Sequence, residues 1–315
     1  MHVVQVLEIE NNPLDRPGTA ALPALTGAWV ILEYLANGSI DKFIENAYSQ
    51  GRRKLPNRLL WRFCLCMIKA CIAITYPRNI NTNTLVSETV PAGGRAEDEG
   101  MTHNDIHVAN VMLADVLEDI EHTITPRLKL IDFGRAADFS QARRIPSPSD
   151  ISSIGEIILS LILLNPFPFG MHASPYSFQA DEGSPEIYTH ARELTEGWVE
   201  EGHEDVPWLD PDLRALVCNL MREDRDNIPS LADLDRIATA AVRDRDAAWY
   251  NNEEFEQDDT IKKLWHDIVH WDGGDDGGGG DDGDLEDLDD EDDDEDDYED
   301  DYEDRYLDDF LGGLP

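Results

Sequence analysis

One segment narrows the possible folds of this chain more than any other: Leu128-Lys129-Leu130-Ile131-Asp132-Phe133-Gly134. Its apolar residues read as a buried strand, and the strand delivers a carboxylate at its end. Upstream lies His103-Asn104-Asp105-Ile106-His107-Val108-Ala109-Asn110, with an Asp and an Asn five residues apart. Alone, Asp105 reads as a helix cap or turn residue, and Asp-Phe-Gly is only three residues long. Their order, their spacing and the strand before Asp132 set them apart. If the fold holds Asp105 and Asp132 close, they repel: at ~4 Å and an effective dielectric of ~20 the cost is about 4 kcal/mol. A divalent cation removes that cost. Mg²⁺, small and hard, prefers carboxylate and amide oxygens.

This layout resembles the protein-kinase catalytic loop, H-R-D-L-x-x-x-N, followed by the metal-binding D-F-G. The resemblance implies ATP and Mg²⁺ as cofactors, with transfer of the γ-phosphate to a protein Ser or Thr hydroxyl. It makes Asp105, His103 and Asn110 the catalytic set, with Asp105 as base, and Asn110 and Asp132 the metal ligands. Trp29 to Ser39 is similar to the strand and hinge that hold adenine. By that match Leu32 is the gatekeeper, and Glu33 to Leu35 offer backbone hydrogen bonds; Ser39 or Asp41 would cap the next helix. Leu55 to Tyr76 has apolar residues near helical spacing and is similar to the long buried helix before the catalytic loop. Asp150 to Leu164 resembles the central helix of the large lobe, whose leading Asp bonds the catalytic-loop backbone. Asp210 to Leu220 and Pro229 to Leu234 resemble its closing helices.

The expected fold is therefore α+β and protein-kinase-like: a mainly helical large lobe, a reduced β small lobe and a disordered acidic C-terminal tail. Residues 1–36 are read as the small-lobe remnant and hinge, 37–240 as the large lobe, 241–271 as a helical extension and 272–315 as the tail.

The departures from the family pattern matter equally. No G-x-G-x-x-G loop and no V-A-I-K Lys precede the hinge, and the Glu partner of that Lys is absent too. His2 to Leu7 resembles the strand that follows the family's missing helix. Asn104 replaces the catalytic-loop Arg. The segment from Gly134 to Asp150 is short and lacks A-P-E, and Ile228 stands where the family carries the Arg that pairs with that Glu. Losing both partners together avoids a stranded buried charge. These losses support a second reading, a catalytically impaired pseudokinase acting as a binding module. His107 supports a third, a small-molecule phosphotransferase of the aminoglycoside or choline type, whose loop reads H-x-D-x-H-x-x-N.

Two polar insertions, Pro77 to Gly100 and Asp115 to Pro126, read as surface loops. From Asp275 onward the chain carries 23 acidic residues and Arg305 as the only basic one, so −22 of the net charge of −42 sits there. Such a segment cannot bury enough apolar surface to fold. It suits docking to a basic, histone-like protein and disfavours direct contact with nucleic acid. Its Asp and Gly repeats lack the ordered ligand spacing of an EF-hand. Cys64, Cys66 and Cys71 on the long helix, with Cys218, read as reduced core thiols of an intracellular protein, cytoplasmic or nuclear. Cys64 and Cys66 face different sides of that helix and make a poor metal pair. No secretory signal opens the sequence, and Ile154 to Leu164 is too short to span a membrane. Residues 235–271, with several Trp and aliphatic positions, read as helices capping the body or as an aromatic partner-binding extension.

Overall fold

The computed structural model describes residues 1–7, 30–77, 88–92, 100–117, 119, 121–138, 147–166, 174–195 and 206–273. The acidic stretch from 274, Trp29, and 139–146 of the segment after Gly134 lie outside them. Chain contacts separate Met1–Gly274 from Asp275–Pro315, so the architecture below is that of the first unit.

The unit is α+β, with six α-helices and three two-stranded antiparallel sheets among the described residues. Its axis is the second helix. After α1 (Ile40–Ser49), α2 runs Asn57–Thr75 and buries every residue but Ala73. A helix buried on every side belongs in the centre, and α2 touches α3 (Pro148–Leu163), α5 (Leu231–Asp244) and the strand Leu128–Leu130, with its Arg58, Arg62 and Lys69 buried as well. Its start has no local cap, because Pro56 has no side chain able to accept. The carboxylate of Glu256, distant in sequence, accepts instead from the N–H groups of Asn57 at 2.7 Å and Arg58 at 3.1 Å. That satisfies two of the four donors a helix start leaves open and places negative charge at its positive end.

Helix α3 begins as its sequence directs, with a serine cap and a proline in the first turn. Ser147 accepts from Ser149 N at 3.2 Å, and the helix ends at Leu164 in the left-handed region, with φ 50°. Midway, Gly155 lets α3 lie against the end of α4 (Pro211–Leu220): a Cβ there would stand 2.5 Å from Met221 Cγ. The C-terminal helix packs against α1. Asn46 and Gln50, at the end of α1, donate to the carbonyls of Ile268 and Asp267 in α6 (Asp258–Val269), at 2.9 and 3.1 Å.

The sheets are small. β1 (Met101–Thr102) pairs with β4 (Ala137–Asp138), β2 (Val111–Leu113) with β3 (Leu128–Leu130), and β5 (Tyr176–Phe178) with β6 (Ile187–Thr189). The N-terminal residues add two isolated bridges. Val3 lies parallel to Leu130, and Val6 antiparallel to Leu32.

Two expectations need correction. Ser39 occupies the cap position of α1, but its hydroxyl binds the Asp41 carboxylate rather than a helix N–H. The two insertions are not wholly surface loops. Glu88 of the first is buried, as are His122, Ile124 and Thr125 of the second. The four cysteines are free and buried, as read from the sequence. No helix among the described residues is long and apolar enough to cross a membrane.

Candidate functional site

The β1, β2 and β3 strands and the start of α3 converge on the loop that carries Asp105. Asp150, in the first turn of α3, is buried and accepts two backbone bonds, from His103 N at 2.8 Å and Asn104 N at 2.9 Å. Burial pushes its carboxyl above the ordinary Asp value, and the two N–H bonds oppose that push without cancelling it. Those bonds hold Asn104 at φ 63°, a left-handed conformation that Asn tolerates better than most residues. The turn sends Asp105 out of the core, with its side chain 29% exposed.

Asn110 closes the loop. Its amide donates to the Asp105 carbonyl at 3.0 Å, and its own carbonyl accepts from Ile131 N at 3.0 Å. The last residue of the short helical turn 108–110 is thus tied both to the loop and to the strand end beside Asp132. Among the described residues the Asn110 side-chain oxygen has no protein partner. His103 is fully buried, its Nε2 lies 2.9 Å from the Ile131 carbonyl, and its ring meets Phe133 edge-on at 4.8 Å. His103 therefore packs behind the Asp-Phe-Gly turn.

Asp132 is exposed and sits at φ 60°. Its Oδ1 accepts from Gly134 N at 3.0 Å, a local bond that offsets part of the cost of the positive φ. Arg135, the nearby cation, lies 3.8 Å from Asp105 and is mostly exposed. Asn110 thus lies beside Asp105 and beside Ile131, the residue before Asp132; a site formed by those two carboxylates and the amide would offer oxygen ligands. Such a hard-oxygen set would suit Mg²⁺ rather than a thiophilic metal.

The hinge residues are placed more unevenly. Leu32 is 46% exposed in its bridge to Val6. Glu33 spends its N–H on the Gln5 carbonyl at 3.0 Å, so the group it has to offer is its carbonyl. The Leu35 N–H has no partner among the described residues. Sequence reasoning missed what the Glu33 side chain does. It accepts from Gln5 N at 2.7 Å and binds the ammonium of Lys129, buried within β3. Burial draws the Lys129 ammonium below its ordinary value, against the pull of Glu33. The signal was present in Leu128-Lys129-Leu130: a Lys inside a buried strand requires an acid beside it.

No protein-family model and no curated protein matches the chain.

Proposed function

We propose that the chain is a protein-kinase-like phosphotransferase that moves the γ-phosphate of ATP to a protein Ser or Thr hydroxyl. The observation that carries this reading is the tie of Asn110 to both Asp105 and the strand end before Asp132, locked from behind by Asp150. It supports a kinase-like large lobe in which those three side chains act as one group. Bound Mg²⁺ would offset the charge of the phosphates. Asp105 accepts the proton of the acceptor hydroxyl and orients it, while Asn110 and Asp132 supply metal oxygens. Leu32 packs toward the base, and Glu33 and Leu35 present a carbonyl and an N–H to its edge.

One observation favours the binding-module reading. Among the described residues, Lys69 and Lys129 are engaged elsewhere, with Asp235 and Glu33, and no Lys pairs with Asp105 or Asp132. The phosphate grip that a kinase small lobe provides has no counterpart among them. Radiolabelled ATP with a basic and a neutral protein acceptor separates the two readings. Catalysis predicts transfer that Asp105→Asn lowers by about 10²–10⁴-fold while Mg-ATP binding persists. Binding without transfer in the parent chain would leave the module reading standing.

A further inference from the structure

Away from Asp105 and Asp132, the N-terminal segment, the middle of α2 and the second insertion send three buried side chains to one point. The His2 and His122 Nε2 atoms are 3.1 Å apart, and Cys66 Sγ lies 3.5 Å from His122 Nε2. All three ligand atoms fall within 4.8 Å of one another. We propose that His2, Cys66 and His122 bind a zinc ion, with water in the fourth position.

Bond lengths agree. Zn–N near 2.0–2.1 Å and Zn–S near 2.3 Å give tetrahedral edges of about 3.3 Å for N···N and about 3.6 Å for S···N. The 3.1 and 3.5 Å separations need only a few tenths of an ångström of adjustment, and the His2–Cys66 edge lies within 4.8 Å. Hydrogen-bond accounting agrees as well. His122 Nδ1 lies 2.7 Å from Asp119 Oδ1, so that nitrogen carries the proton and Nε2 presents a lone pair. His2 Nδ1 lies 3.3 Å from Glu88 Oε2, which asks for the same arrangement, yet its geometry completes no hydrogen bond. Two neutral rings set by those carboxylates aim lone pair at lone pair across 3.1 Å. The alternative, a simple His–His hydrogen bond, puts the proton on His2 Nε2 and turns the bare His2 Nδ1 toward a carboxylate in a buried site. A cation between the rings takes both Nε2 lone pairs and leaves both Nδ1 protons facing carboxylates.

The surroundings have the form of a metal site's outer shell, in which a carboxylate holds the far nitrogen of each ligating His. Each insertion supplies one of these carboxylates, Glu88 from the first and Asp119 from the second. With a Cys66 thiolate they supply more than enough negative charge to offset a divalent ion. Burial by itself pushes the Cys66 thiol up to about 12; a coordinating cation reverses that preference and takes the thiolate. Zinc suits a His₂Cys donor set, whereas Mg²⁺ and Ca²⁺ do not. The inference does not depend on the phosphotransferase reading, and no residue is shared between the two sites.

The test is Co²⁺ titration of the full-length, chelator-treated protein, followed by displacement with Zn²⁺. The proposal predicts one equivalent of tetrahedral Co²⁺ with a thiolate-to-cobalt charge-transfer band in the near ultraviolet. The acidic C-terminal stretch offers only oxygen ligands and gives no such band. Cys66→Ser should abolish the band, while Cys64→Ser and Cys71→Ser, on the same helix, retain it. Asp119→Asn should weaken Co²⁺ binding by about 10–100-fold. Absence of the band in the parent protein overturns the proposal, and that arm needs no variant to fold. A band that survives in Cys66→Ser overturns it equally.

Discussion

Asp210→Ala is expected to be among the most damaging single changes outside the apolar core. The buried Asp210 carboxylate does three things. It caps α4 by accepting from Asp212 N at 3.0 Å and Leu213 N at 3.3 Å, it accepts from the Tyr250 hydroxyl at 2.6 Å, and it pairs with Arg245. Arg245 also binds Asp212, and its guanidinium lies 5.0 Å from the ring centroids of both Trp61 and Trp249. The cluster thereby fastens the C-terminal segment to α2. Loss of the cap costs about 1 kcal/mol, and stranding a largely buried Arg costs up to about 3–5 kcal/mol. Asp212, which is two-thirds exposed, still compensates Arg245, so the sum should fall at about 2–4 kcal/mol. For a folded unit of this size that is roughly 4–16 °C in melting temperature. Urea unfolding of Asp210→Ala, Arg245→Met and the double variant measures the coupling directly.

The same cluster fixes a pH dependence. Burial alone would raise the Asp210 carboxyl, but bonds from Arg245 and Tyr250 outweigh burial and hold it below its ordinary 3.8. A depressed folded value means the stabilisation is present above the ordinary value and drains away as pH falls through the folded one. The gap between parent and Asp210→Ala should therefore be widest at neutral pH and shrink below pH 3.8. A loss at pH 7 under about 0.5 kcal/mol, the size of an ordinary surface substitution, or no coupling in the cycle, would refute the reasoning.

The Glu33–Lys129 pair should respond asymmetrically in urea unfolding. Glu33→Ala strands a buried ammonium and should cost about 2–4 kcal/mol, whereas Lys129→Met replaces it with an apolar chain of similar length and should stay within about 1 kcal/mol of the parent. Equal losses would contradict the burial of Lys129 as the source of the cost. Gly155→Ala should destabilise by about 1–3 kcal/mol, since the new methyl meets Met221 at 2.5 Å and Leu220 at 3.0 Å; the thermal melt of that variant checks it.

What the sequence disclosed followed the range of the physics involved. α2, α3, α4 and α5 were legible because periodicity and caps are local. α4 starts at its expected Asp210, whereas α3 begins ahead of Asp150, at Ser147-Pro148, and α5 starts at Ser230 and runs past Leu234 to Asp244. The Asp150 bonds to the loop backbone were legible only through the family resemblance, since 46 residues separate the partners Asn104 and Asp150. The Glu256 cap of α2, the Glu33–Lys129 pair and the His2–Cys66–His122 cluster were not legible. Each joins residues from remote segments, and no local spacing encodes them. The insertions misled for a related reason. Their polar composition reads as surface, but Glu88 and His122 are buried, because buried polar groups are tolerated wherever they find partners. Both find one in or beside His2.

The central claim is that Asp105, Asn110 and Asp132 form a nucleotide–metal site, and its most direct test is the melting temperature of the full chain in Mg-ATP, with Mg²⁺ alone as control. With nucleotide at ~100 times its dissociation constant, binding adds about 2.7 kcal/mol, a rise of about 5–10 °C at this size. The account predicts that rise in the parent chain and its loss in Asp132→Asn. An unaltered parent melting temperature, or the same rise in Asp132→Asn, would contradict it.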